Sequence, residues 1–321
     1  IDWRKAPLAT VAGVLAYLLN GISWHRTARL QDISLEAFEE LCRSVSNDAN
    51  QDARSALFRL FLGRGPFEPI GRQALQINVS AGRYFLYIAA LRAFLARYAP
   101  AFDESQIHPL CSGEPDMRSR LMIEAIQHLG MEAARDARLA AALTTQAPDG
   151  YPALLANLPA EHPFCLAMTA FLTIYGHRCI REIELATPRW REDPVTVLNM
   201  VRNYLHDELQ PPADRHSLHL SARDALRQAL PRRWQQRVAL YLVQRIRYYV
   251  TLRENTRHYH TMGFAAVRGK LKTLEQRLLQ DGRLRAEDDI FYLTWEEATA
   301  LDRHELDWSD VALTIRMRRR A

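Results

Sequence analysis

The sequence predicts an all-α protein, a bundle of many helices with one very long helix near the C-terminus. Glycine (13 residues) and proline (15 residues) are sparse among 321 residues, which leaves few turns for a strand-rich fold. Hydrophobic residues make up 48% and charged residues 25%, the balance of an ordinary globular chain. In almost every long segment the apolar residues recur at three- and four-residue spacing, which is the period of an amphipathic helix.

The first half of the chain is predicted as a succession of helices. An apolar run at 8–19 predicts a buried helix, because a membrane span needs ~20 residues. Ser34 is placed to cap the next helix. Residues 82–98 are apolar on every side, as in a central helix of a bundle, until Pro100 ends the pattern. Helical spacing then continues through 117–143.

A long ordered loop follows the apolar helix predicted at 163–175. Residues 176–194, called the clasp below, are dense in charge and show no helical stripe of apolar residues. The clasp ends at Asp193 and Pro194, which supply an N-cap and a proline for the first turn of a helix running to about His206.

One long helix is predicted to dominate the C-terminal part. After a helix at 217–230, residues 232–280 contain no proline, so they form one helix of up to ~70 Å or two helices broken near Gly263 or Gly269. Asp281 and Gly282 are predicted to end this helix, with Gly282 supplying the C-cap.

A short apolar run follows the long helix. Residues 290–293 are predicted as the one strand-like segment of the chain. Thr294 and Glu297 form a capping box for the next short helix.

We expect a single helical domain over residues 1–321, with subdomains at 1–148 and 149–321 as the alternative. The 42 basic and 37 acidic residues give a net charge of +5, and four of those charges lie in the C-terminal arginine run. The rest is nearly neutral (38 − 37 = +1), which argues against a nucleic-acid partner. No membrane partner is expected. The four cysteines lack ligand or disulfide spacing, which predicts no metal and a cytoplasmic location.

The clasp is the first segment whose residues carry chemistry. Arg178, Arg181, Glu182 and Glu184 can pair with one another only if the loop has a defined shape. The alternative is that such pairs merely pin an irregular connection, at ~0–1 kcal/mol for each exposed pair. A metal site at His177 with the two glutamates is disfavoured, because the spacing matches no metal signature.

The second such segment is a stripe on the long helix. Tyr249, Arg253 and Arg257 recur at a spacing of four residues, and His260 and Phe264 continue the same side. A wall of cations and aromatic rings suits a phosphate or a flat anionic substrate. The alternative is a solvated basic stripe without a ligand.

The chain resembles the phosphoenolpyruvate-synthase-like phosphotransferases, the family that includes rifampin phosphotransferase. The resemblance covers roughly the C-terminal half of the chain. Three groups of motifs carry it. The first is Tyr175-Gly-His-Arg178 with Glu182-Ile-Glu184 and Pro188-Arg-Trp-Arg-Glu-Asp-Pro194. The second is Leu252-Arg-Glu-Asn-Thr-Arg257, and the third is Gly282-Arg-Leu284 with Asp288-Asp-Ile-Phe-Tyr-Leu293.

The resemblance implies an acceptor-binding middle domain excised from a larger protein. In this family an ATP-grasp domain phosphorylates a histidine on a swivelling domain, and this phosphohistidine visits the helical domain that holds the acceptor. ATP and magnesium are then expected in a missing domain, with no cofactor in this fragment, because the sequence has no glycine-rich phosphate loop. The expected partners are the two missing domains and a small acceptor, an apolar natural product or antibiotic. The isolated fragment is not expected to be catalytic.

The resemblance also implies roles for single residues. Arg253 and Arg257 match positions near the acceptor and the incoming phosphohistidine, so both are expected to be catalytic through charge stabilisation. The antibiotic-modifying members usually have lysine where this chain has Arg257, and arginine does not deprotonate, so proton transfer is not expected there. The expected substrate contacts are Tyr249, His260, Phe264 and His177. The expected structural loop motif is Gly176, Arg178, Arg181, Glu182, Glu184, Arg189 and Trp190.

Two other functions stay open from the sequence. The chain could be a helical scaffold whose clasp and basic tail bind a protein partner, or the acceptor domain of a related phosphohistidine-dependent ligase. A concave site lined by Arg253, Tyr249 and other aromatic residues would favour an acceptor domain over a scaffold.

Overall fold

The computed structural model describes residues 37–49, 52–57, 60, 69–112, 116–206 and 215–320. These residues form helices joined by turns and contain no strand, which confirms the all-α prediction. The predicted helix at 8–19 and the cap at Ser34 lie outside the described residues.

Thirteen α-helices occur in the described residues. They are α1 (37–47), α2 (Ala53–Leu57), α3 (Pro69–Tyr98), α4 (Ile107–Cys111), α5 (Arg118–Arg135), α6 (Ala137–Thr145), α7 (Tyr151–Ala156), α8 (Pro163–Tyr175), α9 (Val195–His206), α10 (Arg215–Ala229), α11 (Arg233–Gln280), α12 (Trp295–Asp302) and α13 (Trp308–Arg320).

The helical pattern at 117–143 is divided into two helices, α5 and α6, rather than one. Asp136 adopts an extended conformation between them, and its carboxylate accepts hydrogen bonds from the backbone of Arg138 (2.8 Å) and Leu139 (3.2 Å). A side chain that caps in this way satisfies the first free amides of a new helix. Helical periodicity does not reveal such a break, because the apolar spacing continues across it.

The prediction of a strand-like segment at 290–293 is wrong. Residues Asp289–Tyr292 form a 3₁₀ turn, entered through Asp288 in the left-handed region at φ 66°. Ile290 is buried in the core, and its backbone amide donates to the buried carboxylate of Glu275 at 3.4 Å. Contacts to α11 therefore set the backbone conformation here, which the apolar run alone does not disclose.

The long helix α11 is continuous over 48 residues, about 72 Å at 1.5 Å per residue. Neither Gly263 nor Gly269 breaks it. It ends where predicted, with Gly282 at φ 70° and a hydrogen bond of 2.8 Å from the Arg283 amide to the Leu278 carbonyl.

Four clusters of buried apolar side chains make up the core of the described residues. The first joins α3, α4 and α10 to the N-terminal half of α11. The second cluster contains side chains from all five helices α5 through α9 and Trp190 of the clasp. It therefore includes residues on both sides of position 148. The third packs α1 and α2 on the middle of α11, and the fourth packs α12 and α13 on its end. The clasp thus lies between the second cluster and α11. No helix in the described part of the chain is long and apolar enough to cross a membrane.

Candidate functional site

The clasp is a closed loop with a defined shape. Its two ends are joined by backbone hydrogen bonds from Trp190 to the Arg178 carbonyl (2.8 Å) and from Arg191 to the Gly176 carbonyl (3.0 Å). Asp193 caps α9 as predicted, because its carboxylate accepts from the Val195 amide at 3.1 Å. The loop returns to its starting point, and its interior is filled by its own side chains.

Arg189 and Trp190 fill the base of the clasp. The Arg189 guanidinium is fully buried and donates to the carbonyl oxygens of Glu182 (3.1 Å) and Glu184 (3.3 Å) and to the Cys179 sulfur. Trp190 stacks on Phe171 of α8 with ring centroids 6.1 Å apart. These contacts are consistent with the structural role predicted for both residues.

Glu182 joins the clasp to α11. Its side chain is 7% exposed, and its two oxygens serve different arginines. One oxygen accepts from Nε of Arg178 at 2.8 Å within the loop, and the other accepts from Nε of Arg257 at 2.5 Å. Residues 75 positions apart therefore share one buried carboxylate, and the clasp motif meets the stripe on α11.

A second ion pair fastens the other end of the clasp to the same helix. Buried Arg268 donates from Nε to both oxygens of Glu192, at 3.0 and 2.9 Å, and its guanidinium also bonds the Leu185 carbonyl. Arg257 and Arg268 are eleven residues apart, which is three helical turns, so both lie on one face of α11. The clasp is held at two points about 16 Å apart along the helix.

The predicted mutual pairing within the clasp holds for some residues only. Arg178 pairs with Glu182, whereas Glu184 is exposed and accepts from the backbone of Ala186 at 3.1 Å. Arg181 is exposed, and its side chain makes no hydrogen bond or ion pair to another described residue. The charge that completes the network comes from α11 instead.

Two neutral histidines lie beside the ion pair. His177 and His258 are both buried, and their rings meet edge to face with centroids 4.6 Å apart. Burial, with His258, Arg178 and Arg191 adding to it, holds the pKa of His177 well below its usual 6.5. Burial, followed by the charges of Arg178 and Arg118, lowers the pKa of His258 to about 3.

The predicted stripe divides into a buried part and an exposed part. Tyr249 is 3% exposed and stacks on Tyr87 in the first core cluster, so it faces the core rather than an open surface. Arg253 is partly exposed, lies over the ring of Tyr84 at 5.6 Å and donates to Glu254 at 2.6 Å.

The rest of the stripe lies along the exposed side. Arg257 is 53% exposed. His260 and Phe264 are partly buried and contact each other edge to face, with ring centroids 5.1 Å apart. Burial lowers the pKa of His260. The structure therefore brings Arg253 and Arg257 together at the surface and leaves Tyr249 beneath it.

Sequence reasoning missed two contributors to this region. Arg118, at the start of α5, donates to the hydroxyl of Tyr259 at 2.8 Å, and its backbone amide donates to the Asn255 side chain at 2.8 Å. His258 directly follows the second family motif, which ends at Arg257, and was not among the expected site residues. Its position next to Arg257 in the sequence was the only available signal, whereas Arg118 gave none.

An apolar cleft of about 370 Å³ lies on the clasp. It is formed by the clasp, the later part of α11 and the segment leading into α12, with Glu184 and Thr294 as its polar residues. Its apolar lining is Ile183, Leu185, Leu271, Ile290, Phe291, Leu293, Trp295 and Ala298. Among the described residues, no group of three acidic, histidine or cysteine side chains could hold a metal ion.

Comparisons with known proteins agree with the motifs. The family model described as rifampicin phosphotransferase fourth domain matches residues 78–254, which include the whole clasp and Arg253 and end before Arg257. The rifampicin phosphotransferase of Streptomyces sviceus is 30% identical over 159 residues, covering 44% of this chain and 18% of the relative.

Two further relatives match over a comparable length. The rifampicin phosphotransferase of Bacillus cereus is 28% identical over 142 residues, covering 41% of this chain and 16% of the relative. That of Bacillus subtilis is 26% identical over 157 residues, covering 46% of this chain and 18% of the relative. The matches thus span less than a fifth of each relative's length. Because the family model matches more than half of the 321 residues, the resemblance is confirmed, and the chain belongs to the rifampicin phosphotransferase fourth-domain family.

Proposed function

We propose that this chain is the acceptor-binding domain of an ATP-dependent phosphotransferase that carries its phosphoryl group on a histidine. The observation that carries the proposal is the contact between Glu182 and Arg257, which joins the two family motifs at the surface. Family membership supports phosphoryl transfer as the reaction. The neighbouring guanidinium groups of Arg253 and Arg257 supply the positive charge that this reaction needs.

Phosphoryl transfer needs cations where charge develops. As the P–N bond of phosphohistidine breaks and a P–O bond to an acceptor hydroxyl forms, negative charge spreads over the phosphoryl oxygens. Arg253 and Arg257 can stabilise that charge with paired N–H donors. The proton released by the hydroxyl passes to another group, because an arginine stays protonated. ATP and magnesium would be bound by another domain.

The apolar cleft on the clasp is the binding site we propose for the acceptor. Its lining contains neither Arg253 nor Tyr249, so it is not the concave site that the sequence led us to expect. Its volume of about 370 Å³ and its aromatic lining are typical of sites for apolar small molecules. The curated relatives are named rifampicin phosphotransferases. Rifampicin, the compound in those names, is therefore the acceptor to test first.

A pair of variants in the clasp tests acceptor binding. Ile183 and Ile180 are 72% and 75% exposed, and only Ile183 lines the cleft. Ile183→Arg should weaken rifampicin binding about 5- to 30-fold, because ~1–2 kcal/mol of apolar contact is lost at the rim. Ile180→Arg, which adds the same charge outside the cleft, should bind as the unmodified chain does. Fluorescence titration of each purified chain, with melting temperatures to check folding, gives the comparison.

If the chain is instead a scaffold, rifampicin should not bind in the cleft. Two exposed isoleucines on one loop are also typical of a surface that another protein covers. If rifampicin binds neither the unmodified chain nor the variants, the acceptor proposal fails and the interaction surface becomes the better explanation.

A further inference from the structure

We propose that Glu182 is a positioning residue, which fixes the Arg257 guanidinium so that its terminal nitrogens face the incoming phosphoryl group. This inference rests on the proposed function, which puts the phosphoryl group beside Arg253 and Arg257. It assigns Glu182 more than the structural role expected from its motif.

The two arginines that share Glu182 differ in what they leave free. Arg178 is 9% exposed and uses its remaining terminal nitrogen on the Met122 sulfur at 3.2 Å. Arg257 donates from Nε alone, and its two terminal nitrogens have no partner among the described residues. Arg178 therefore holds the carboxylate in place, and Arg257 presents unused donors at the surface.

Fixing one nitrogen of a guanidinium fixes the others, because the group is planar. With Nε on the carboxylate, the opposite edge of Arg257 keeps one orientation before any ligand arrives. Arginine is otherwise among the side chains that lose the most rotamer freedom when they are ordered. Glu182 imposes that order in the free protein, so it need not be imposed when an anion binds.

The size of the effect follows from the cost of ordering one side chain. Immobilising a long side chain on binding costs ~0.5–1.5 kcal/mol, which corresponds to about 2- to 12-fold in affinity. Glu182→Asp keeps the charge but shortens the side chain by one methylene group, so the carboxylate can no longer reach both arginines. Because Glu182→Asp keeps the negative charge, any effect it has comes from lost positioning. Glu182→Gln would remove the charge as well and could not make that distinction.

The first measurement uses the unmodified chain labelled with ¹⁵N-arginine. The Nε–H proton of Arg257 should exchange with solvent more slowly than that of Arg181, an exposed arginine whose side chain makes no hydrogen bond or ion pair in the described part of the chain. Equal exchange rates would overturn the inference, and this measurement needs no variant to fold.

The second measurement titrates inorganic phosphate and follows the Nε–H signals of Arg253 and Arg257. Glu182→Asp should lose the protection of Arg257 and bind phosphate there about 2- to 12-fold more weakly. The matched control is Glu104→Asp, at an exposed carboxylate 2.9 Å from Nε of Arg92, and it should bind phosphate as the unmodified chain does.

The outcomes separate this inference from the proposed function. If phosphate moves both arginine signals, and Glu182→Asp binds it as tightly as before with Arg257 unprotected, the positioning role is wrong and the proposed function stands. If phosphate moves neither signal in the unmodified chain, the phosphoryl-facing role of the arginines fails, and the positioning role fails with it.

Discussion

Burial decides the protonation state of the two histidines beside the clasp. His177 and His258 contact each other edge to face, and the charges of Arg118, Arg178 and Arg191 add to burial in lowering their pKa values. One nitrogen of each ring has no hydrogen-bond partner in the described part of the chain. Burial therefore favours the neutral form of both rings in the folded protein.

This arrangement predicts a pH-dependent stability. The folded pKa of each histidine lies below 6.5, so below that pH the unfolded chain binds protons that the folded chain does not. Stability should be fully present above pH 6.5 and fall as the pH drops toward the folded pKa, about 3 for His258. Each histidine should contribute a slope of up to ~1.4 kcal/mol per pH unit, measured by denaturant unfolding between pH 5 and 7.

One variant checks the origin of the slope. His258→Phe keeps a ring of similar shape and should remove one histidine's share of the slope. An unchanged slope in His258→Phe would show that this histidine does not gain a proton on unfolding.

At the scale of elements, close approach at the start of the clasp explains one glycine. A Cβ added at Gly176 would collide with the Leu172 carbonyl oxygen and lie 3.0 Å from the Arg191 Cβ. Gly176→Ala should therefore lower the free energy of unfolding by ~1–3 kcal/mol, because α8 or the clasp has to shift.

Gly269 is the matched control for Gly176. It is exposed in the middle of α11, and an added Cβ meets nothing within 4 Å. Gly269→Ala should raise the free energy of unfolding by ~0.5–1 kcal/mol, since alanine favours a helix over glycine. Chemical denaturation of both variants measures the two effects, and equal stabilities would contradict the steric account of Gly176.

Helix ends that are set by capping residues close in the sequence could be predicted from the sequence. The capping box of Thr294 and Glu297, the cap at Asp193 and the helix end at Gly282 all form as expected, because each depends on neighbours within a few residues. The 3₁₀ turn at 289–292 could not, since its backbone conformation depends on Glu275 of α11. The same limit applies to the site. Spacing placed Arg253 and Arg257 on one face, but the pairing of Arg257 with Glu182 and the burial of Tyr249 depend on tertiary packing.

At the scale of the whole molecule, α11 connects the parts that the proposed function needs. Its side chains enter three of the four described core clusters, and it holds the clasp through Arg257 and Arg268. A helix packed along its length keeps the spacing of its side chains, so the arginines, the clasp and the cleft keep one geometry. The division of residues 1–321 into one domain or two stays a prediction.

The catalytic role proposed for the arginines can be tested only where phosphoryl transfer occurs, in a protein that joins this chain to a nucleotide-binding domain and a phosphohistidine domain. If Arg253 and Arg257 stabilise charge that develops during transfer, Arg253→Ala and Arg257→Ala should each lower kcat by ~100–1,000-fold and change KM for the acceptor much less. Arg181→Ala, at an exposed arginine of the clasp, should leave both constants unchanged. Turnover near that of the unmodified protein in both alanine variants would mean that the stripe is a solvated helix face, because a group that stabilises the transition state cannot be removed without slowing the step it serves.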